Sequence, residues 1–384
     1  MHINQALAQS IRAHRERLQI SQEQVGQHLR IPRSAVSEIE AGKRDVSAAE
    51  LVALSRLFGE SLERILGLVE HPAEEELVLL RAAAVPSPAQ SQLNRWIHLC
   101  ETYHQLEECV GEQRDADIRP VRRILSSYEQ AHELADEERR RLGLGLTPAH
   151  QFLEVLEERA GMKVLFLELD DQVSGASVQS QRFGPAILIN RRHSQGRRAF
   201  TLAHEYFHLL TRGRVARSRA PHALHLCEER APGEAKDRAE QLADRFAGRL
   251  LLPPQHFVDR LLDARCEDGT INHVDLIGIA RYFGVSVQAV FVQLAVLKVV
   301  PWAIAKAAYA DPKLQDRILE TSPGAPGPEP LRFRRLAVKA FTADCISRGR
   351  LAELLDVNVA EVDDQLARHG AGGSGGSVRA TLPR

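Results

Sequence analysis

The chain has 384 residues, of which 44% are hydrophobic and 26% charged, and its formal net charge at pH 7 is −1. That length supports more than one core, and no apolar run is long enough to span a bilayer as a helix. No charged-then-apolar secretory segment opens the chain, since Ile3 to Arg17 reads as a polar amphipathic helix, so the cytoplasm is the expected compartment.

Ser21 is an N-cap residue ahead of a short helix ending at Leu29, and Arg30-Ile31-Pro32 supplies a turn. A second helix is predicted from Arg33 to Arg44, with Val36 and Ile39 inward and Gly42 past its end. Flanking helices at about 4–18, 47–58 and 61–67 complete a five-helix unit over residues 1–70. Two short helices around a tight turn, with the segment Ile39-Glu40-Ala41-Gly42-Lys43-Arg44, resemble the Xre/phage-repressor DNA-binding domains. The resemblance implies that the second helix enters the major groove of a double-stranded DNA operator. Arg33, Ser34, Ser37 and Glu38 would face base edges, and Gln22, Gln24, Lys43 and Arg44 would be placed for phosphate. Residues 1–70 carry nine Lys or Arg against nine Asp or Glu, so net charge lends no support to DNA binding. A dimerisation or docking module stays open as the alternative.

Residues 71–142 are rich in Glu, Arg, Leu and Ala and carry a loop signal at Val85-Pro86-Ser87-Pro88, so they read as linking helices. Trp96, Leu99, Tyr103 and Leu106 recur at three- to four-residue spacing, a stripe for a core or for a homodimer suited to paired DNA half-sites.

From residue 143 onward short β-rich runs appear: Met162 to Leu169, Val173 to Val178 and Ala186 to Asn190, which predict a small sheet. Ile187 to Asn190 is the candidate edge strand on which an extended peptide substrate would pair, with a purely structural strand as its alternative.

The next segment, Phe200 to Leu210, contains His204-Glu205-Tyr206-Phe207-His208. Four-residue spacing puts both imidazoles on one helix face, where they can grip a zinc ion. Glu205 lies about 100° round the helix, within reach of a water in the metal's open position, as a general base must be. With sixteen His, chance alone produces H-E-x-x-H in roughly one such chain in twenty, so context has to decide. The apolar neighbours Phe200, Leu202, Ala203, Phe207, Leu209 and Leu210 supply it, since they describe a packed helix. A third ligand is expected from a second helix, Glu240 to Leu252, ended by Pro253-Pro254. Glu240 and Asp244 stand one turn apart there, so one can bind metal while the other accepts the free N–H of a ligating imidazole. The alternative is a solvated face shared with Arg245 and Arg249.

His204, Glu205 and His208, followed by Glu240, Ala243, Phe246, Ala247, Leu250, Leu251 and Pro253, resemble the ImmA/IrrE metallopeptidases over roughly residues 145–300. Asp244 and Leu252 depart from the residues common there, Asn and Met, and neither departure removes a ligand. The resemblance implies zinc held by His204, His208 and Glu240, with Glu205 catalytic, Asp244 behind a ligand, and a regulatory protein as substrate.

Val274 to Val300 reads as a further apolar helical stretch interrupted at Gly284-Val285-Ser286, closing the protease core. Residues 301–330 read as a Pro/Gly-rich linker, and 331–369 as a small helical region. Within it Ile346 to Val357 is either a helix-turn-helix-like pair or a lid or docking element. The tail, 370–384, should be flexible. Cys100, Cys109, Cys227, Cys266 and Cys345 are odd in number and form no C-x-x-C pair, which predicts reduced thiols. Cys227, following His222 and His225, is a possible inhibitory thiolate ligand.

The expected fold is thus mainly α and multidomain: a five-helix Xre-type DNA-binding domain, then an α+β zincin-like metallopeptidase domain with a small sheet over 143–300. The expected function is a cytoplasmic DNA-binding transcriptional regulator with zinc-dependent endopeptidase activity, acting on a repressor partner or on itself in a stress, prophage or defence response. Its partners are an operator duplex, a protein substrate and a second copy of the chain, with no membrane. The alternatives are a non-catalytic zinc-stabilised transcription factor and a component of a toxin-antitoxin or phage-defence system.

Overall fold

The structure is a computed structural model, and it describes residues 3–18, 20–58, 60, 62–66, 87–146, 148–170, 172–211, 214–215, 224–228, 237–265, 270–311, 314 and 329–368. The loop signal at Val85-Pro86, most of the Thr321 to Pro330 linker, His222, Cys266 and the tail lie outside those residues.

The five expected N-terminal helices are present: α1 (Ile3–Arg17), α2 (Gln22–Leu29), α3 (Arg33–Glu40), α4 (Ala48–Phe58) and α5 (Leu62–Ile65). Ser21 accepts from the Gln24 amide while the Gln24 side chain accepts from the Ser21 amide, a reciprocal cap that fixes where α2 begins. The turn into α3 is tight, because a Cβ on Gly26 would lie 2.7 Å from the Ile31 carbonyl oxygen. Ile11, Val25, Val36, Ile39, Leu54 and Phe58 form the core of this unit.

The sheet has one strand more than expected. β1 (Lys163–Leu167), β2 (Val173–Ser180), β3 (Gly184–Asn190) and β4 (Leu224–Glu228) lie in the order β1-β3-β2-β4. β1 runs parallel to β3, and the β3–β2 and β2–β4 pairs are antiparallel. Ile187 to Asn190 is therefore central rather than an edge, which corrects the expectation that a substrate pairs there. The edges are β1 and β4.

Alternation along the strands divides the sheet into two buried faces. Val164, Phe166, Ile187 and Ile189 enter a front core. Leu165, Ala176, Val178, Ala186 and Leu188 enter a back core. The back is covered by α6 (Ser87–Val110), while α7 (Tyr128–Arg141) and α8 (Phe152–Glu158) belong to the front core. Trp96, Tyr103 and Leu106 are buried in the back core with Leu99 packed beside them, so the stripe read as a possible homodimer surface is spent within one chain.

The front carries α9 (Gln195–Thr211), α10 (Arg238–Leu251), α11 (Pro254–Asp263), α12 (His273–Phe283) and α13 (Val287–Val296). The break expected at 284–286 falls between α12 and α13, where Gly284 adopts φ 68° and Ser286 caps α13. Among the described residues no single helix is long and apolar enough to cross a membrane; α12 and α13 pass such a test only as a pair bent by 99°, and both contribute to the front core. The expected linker from 301 instead begins with α14 (Trp302–Tyr309).

α15 (Arg332–Thr342), α16 (Arg348–Leu355) and α17 (Val362–Arg368) lie on the back face with α6. The lid reading of this region fails for that reason: it is a structural layer on the side of the sheet opposite α9. Cys109 at the end of α6 and Cys345 after α15 form a disulfide across 236 residues, which corrects the expectation of reduced thiols. Cys100 and Cys227 are not disulfide-bonded.

Candidate metal centre

α9 is held in place on three sides. Leu202, Ala203, Tyr206, Phe207, Leu209 and Leu210 are buried in the front core. Its close approach to the sheet depends on Gly175 of β2, where a Cβ would sit 2.6 Å from the Leu188 carbonyl oxygen and 2.7 Å from Thr201 Cγ2. Tyr206 accepts from Arg141 Nη2 at 2.6 Å and donates to Glu138, so α7 fixes the rotation of α9. α10 packs its apolar face, Leu242, Ala243, Phe246 and Leu250, into the same core, with the Phe207 and Phe246 rings 5.4 Å apart. Its polar edge then carries Glu240 and Asp244 to the imidazoles.

The four predicted metal-site side chains and Asp244 come together. His204 and His208 Nε2 atoms are 3.2 Å apart, and each lies 3.4 Å from a Glu240 carboxylate oxygen. Two ligands held tetrahedrally at about 2.0–2.1 Å from a zinc ion are about 3.3 Å apart, close to each of these spacings, with Glu240 turning Oε2 to His204 and Oε1 to His208. His204 Nδ1 faces Asp244 Oδ1 at 3.1 Å, the role expected of Asp244. Glu205 is fully buried; its Oε2 accepts from Ser177 Oγ at 2.6 Å, while Oε1 has no hydrogen-bond partner. A buried carboxylate oxygen left without a partner beside three converging donors fits a centre completed by a metal and water.

The sequence reading did not assign His225, which the structure adds to this group. On β4 it lies opposite Ser177 of β2, with Nδ1 3.1 Å from Glu205 Oε2 and Nε2 2.8 Å from Glu240 Oε1. Its ring stacks on His208 at 3.4 Å between centroids. Donor atoms of His204, His208, His225 and Glu240 all lie within 4.8 Å of one another. Cys227, two residues along the same strand, forms a second grouping with His204 and Glu205.

Electrostatics ties the cluster together. Burial opposes the charge of Glu240, but hydrogen bonds from His204 and His225 win and hold its carboxyl well below the ordinary range. Burial likewise opposes charge on His225, yet Glu205 and Glu240 lift it to about 9. His204 rises despite burial, through Cys227, Asp244 and Glu240, whereas burial and the neighbouring His225 and His204 push His208 down. Burial raises the Cys227 thiol to about 12.

The predicted DNA-reading residues divide into two groups. Arg33, Ser34, Ser37 and Glu38 are exposed on α3, and Lys43 is exposed beyond it. Gln22 instead donates to Glu40 at 2.9 Å, Gln24 is engaged in the α2 cap, and Arg44 pairs with Glu50 at 2.8 Å. Those three are partnered within the unit.

Comparison with known proteins agrees with both halves. Residues 11–65 match the Helix-turn-helix family, and residues 157–294 match the family described as IrrE N-terminal-like domain. The second match spans the whole donor cluster. No curated protein matches the sequence. Among solved structures, the crystal structure of ComR from Streptococcus suis aligns over 96% of this chain and 95% of that one at 12% identity, and its TM-score of 0.16 carries no argument about the fold.

Proposed function

We propose that this chain, which joins a Helix-turn-helix region to an IrrE N-terminal-like region, is a DNA-binding transcriptional regulator with zinc-dependent endopeptidase activity toward a regulatory protein, either a partner or the chain itself. The observation that carries the reading is the convergence of His204, His208 and Glu240 at tetrahedral spacing beside the buried Glu205. Stress, prophage induction or defence is the proposed setting, on the strength of the resemblance noted in the sequence.

Bound at these three residues, zinc would supply Lewis-acid polarisation of the scissile carbonyl. Glu205 would take the proton of the attacking water and return it to the leaving amine, with Ser177 fixing the carboxylate through Oε2. Asp244 accepts at His204 Nδ1 and so keeps Nε2 turned toward the cluster. The exposed side chains of α3 would read base edges of a duplex, with phosphate contacts supplying a steep salt dependence.

The test compares the proteins of cells carrying the parent chain or Glu205→Gln, with zinc content measured on both. Fragments that appear only with the parent identify the substrate. Identical fragment sets under every inducing condition, with zinc retained, would instead select a second reading, a regulator whose zinc only stabilises the fold. One observation favours that reading: His225 is bonded to both Glu205 and Glu240. Footprinting of the full chain on its own promoter region tests the DNA half, and absence of protection at low salt removes it.

A further inference from the structure

We propose that His225 is a fourth metal ligand that closes the centre, and that β4 must leave the edge of β2 before a peptide can be hydrolysed. The inference rests on the metal-centre reading above and goes beyond it, because that reading needs only three protein donors.

His225 is bonded in the same pattern as His204. In each, Nδ1 faces a carboxylate at 3.1 Å, Asp244 for His204 and Glu205 for His225, and Nε2 faces the shared Glu240. A carboxylate on one ring nitrogen with the other nitrogen turned to a common point is how a ligating imidazole is oriented. His225 belongs to the one four-donor group among the described residues, and its ring is stacked on that of His208, itself a proposed ligand. Four protein donors make a closed site, whereas a hydrolytic site keeps one position free.

The backbone places this histidine where a substrate would otherwise lie. β2 carries Ser177, the residue bonded to Glu205, so the β2 edge is the one beside the general base. An extended peptide that joins a sheet takes an unpaired edge, and β4 takes this one, antiparallel, with Ser177 opposite His225 and Gly175 opposite Cys227. The strand therefore does two things at once. It fills the backbone groups a substrate strand would use, and it engages Glu205 and Glu240 through a single side chain. Exchange of β4 for a substrate strand would free the edge, the fourth coordination position and Glu205 together.

The experiment uses the full-length chain. X-ray absorption at the zinc edge counts imidazole ligands in the parent, in His225→Ala and in His225→Gln, the second variant guarding against loss of the strand. A parallel titration follows the visible absorption of the cobalt-loaded proteins with acetohydroxamate, a small anion that occupies an open metal position. Expected are three imidazoles in the parent and two in each variant, with acetohydroxamate shifting the cobalt spectrum of the variants at concentrations that leave the parent unchanged. Two imidazoles in all three proteins, or equal acetohydroxamate responses, overturn the proposal while leaving the three-donor centre standing. A parent chain that takes up neither metal overturns the centre itself, and this inference with it.

Discussion

The two faces of the sheet both bury charge, and they do so in opposite ways. On the back, Glu107 is enclosed by cations: Lys163 Nζ lies 2.9 Å from one carboxylate oxygen, and the Arg332 guanidinium is bonded to the other. All three side chains are at most 4% exposed. Here both oxygens of the buried carboxylate meet a cation. On the front, three imidazoles and one carboxylate bring donor atoms within 4.8 Å of one another, and Glu205 beside them keeps a buried oxygen without a partner. Packing explains the first arrangement, because α6, β1 and α15 each contribute one member and are locked together by it. It does not explain the second, which gathers lone pairs around a space suited to a cation.

The comparison breaks most directly if the front cluster holds no metal. We expect close to one zinc per chain in the parent protein and near-complete loss of it in His204→Ala, His208→Ala and Glu240→Ala, measured by elemental analysis after dialysis. Glu205→Gln should retain zinc and lose hydrolysis by about 10²–10⁴-fold, the usual worth of a general base. Full zinc in Glu240→Ala would remove that ligand. On the back the expectation is reversed: metal removal leaves this cluster unaffected, whereas Glu107→Ala leaves two buried cations facing each other and should cost about 3–5 kcal/mol in denaturant unfolding. A loss below about 1 kcal/mol would show that water reaches the seam.

A smaller effect sharpens the front side. Asp244 touches His204 and is absent from the four-donor group, so Asp244→Ala should weaken zinc by about 10–100-fold without abolishing binding. Competition with a chelator of known affinity measures this. An affinity loss as large as that of His204→Ala would move Asp244 into the ligand set.

Much of the front was legible in the sequence because its signals are local. The i, i+4 imidazoles, the apolar residues around them and the one-turn spacing of Glu240 and Asp244 are all set by helix geometry, and two packed helices deliver them. His225 was not legible in that way. Its strand is five residues long, and its place in the sheet depends on pairing with β2, about fifty residues earlier in the chain. The only local hint is that His225 and Cys227 stand two apart, which puts them on one face of a strand. The edge assignment of Ile187 to Asn190 ran against a signal that was present. Ala186-Ile187-Leu188-Ile189 is continuously apolar, the mark of a strand buried on both faces. On the back, the stripe of α6 correctly announced burial, but nothing local says that its cover comes from residues 332–368, or that Cys109 meets Cys345.

A pH-dependent effect tests the buried seam where α8 meets the start of α15. Glu157 on α8 is buried beside the start of α15, where it accepts from the backbone of Leu331 and Arg332, and one of its oxygens lacks a partner. Burial, reinforced by the charge of Glu158, lifts its carboxyl from 4.5 to about 8. Because the folded value lies above the unfolded one, the folded chain holds a proton that the unfolded chain has released at any pH between the two. The stabilising contribution is therefore fully present below pH 4.5, declines as pH rises toward about 8, and is gone above it. One proton corresponds to a slope of at most about 1.4 kcal/mol per pH unit. Glu157→Gln cannot titrate, so the stability of the parent relative to this variant should fall steadily from pH 5 to pH 8 and then level off, as read from unfolding midpoints in urea. A difference independent of pH over that range would mean that Glu157 ionises normally, and that the seam around Arg332 is open to water rather than sealed by α15.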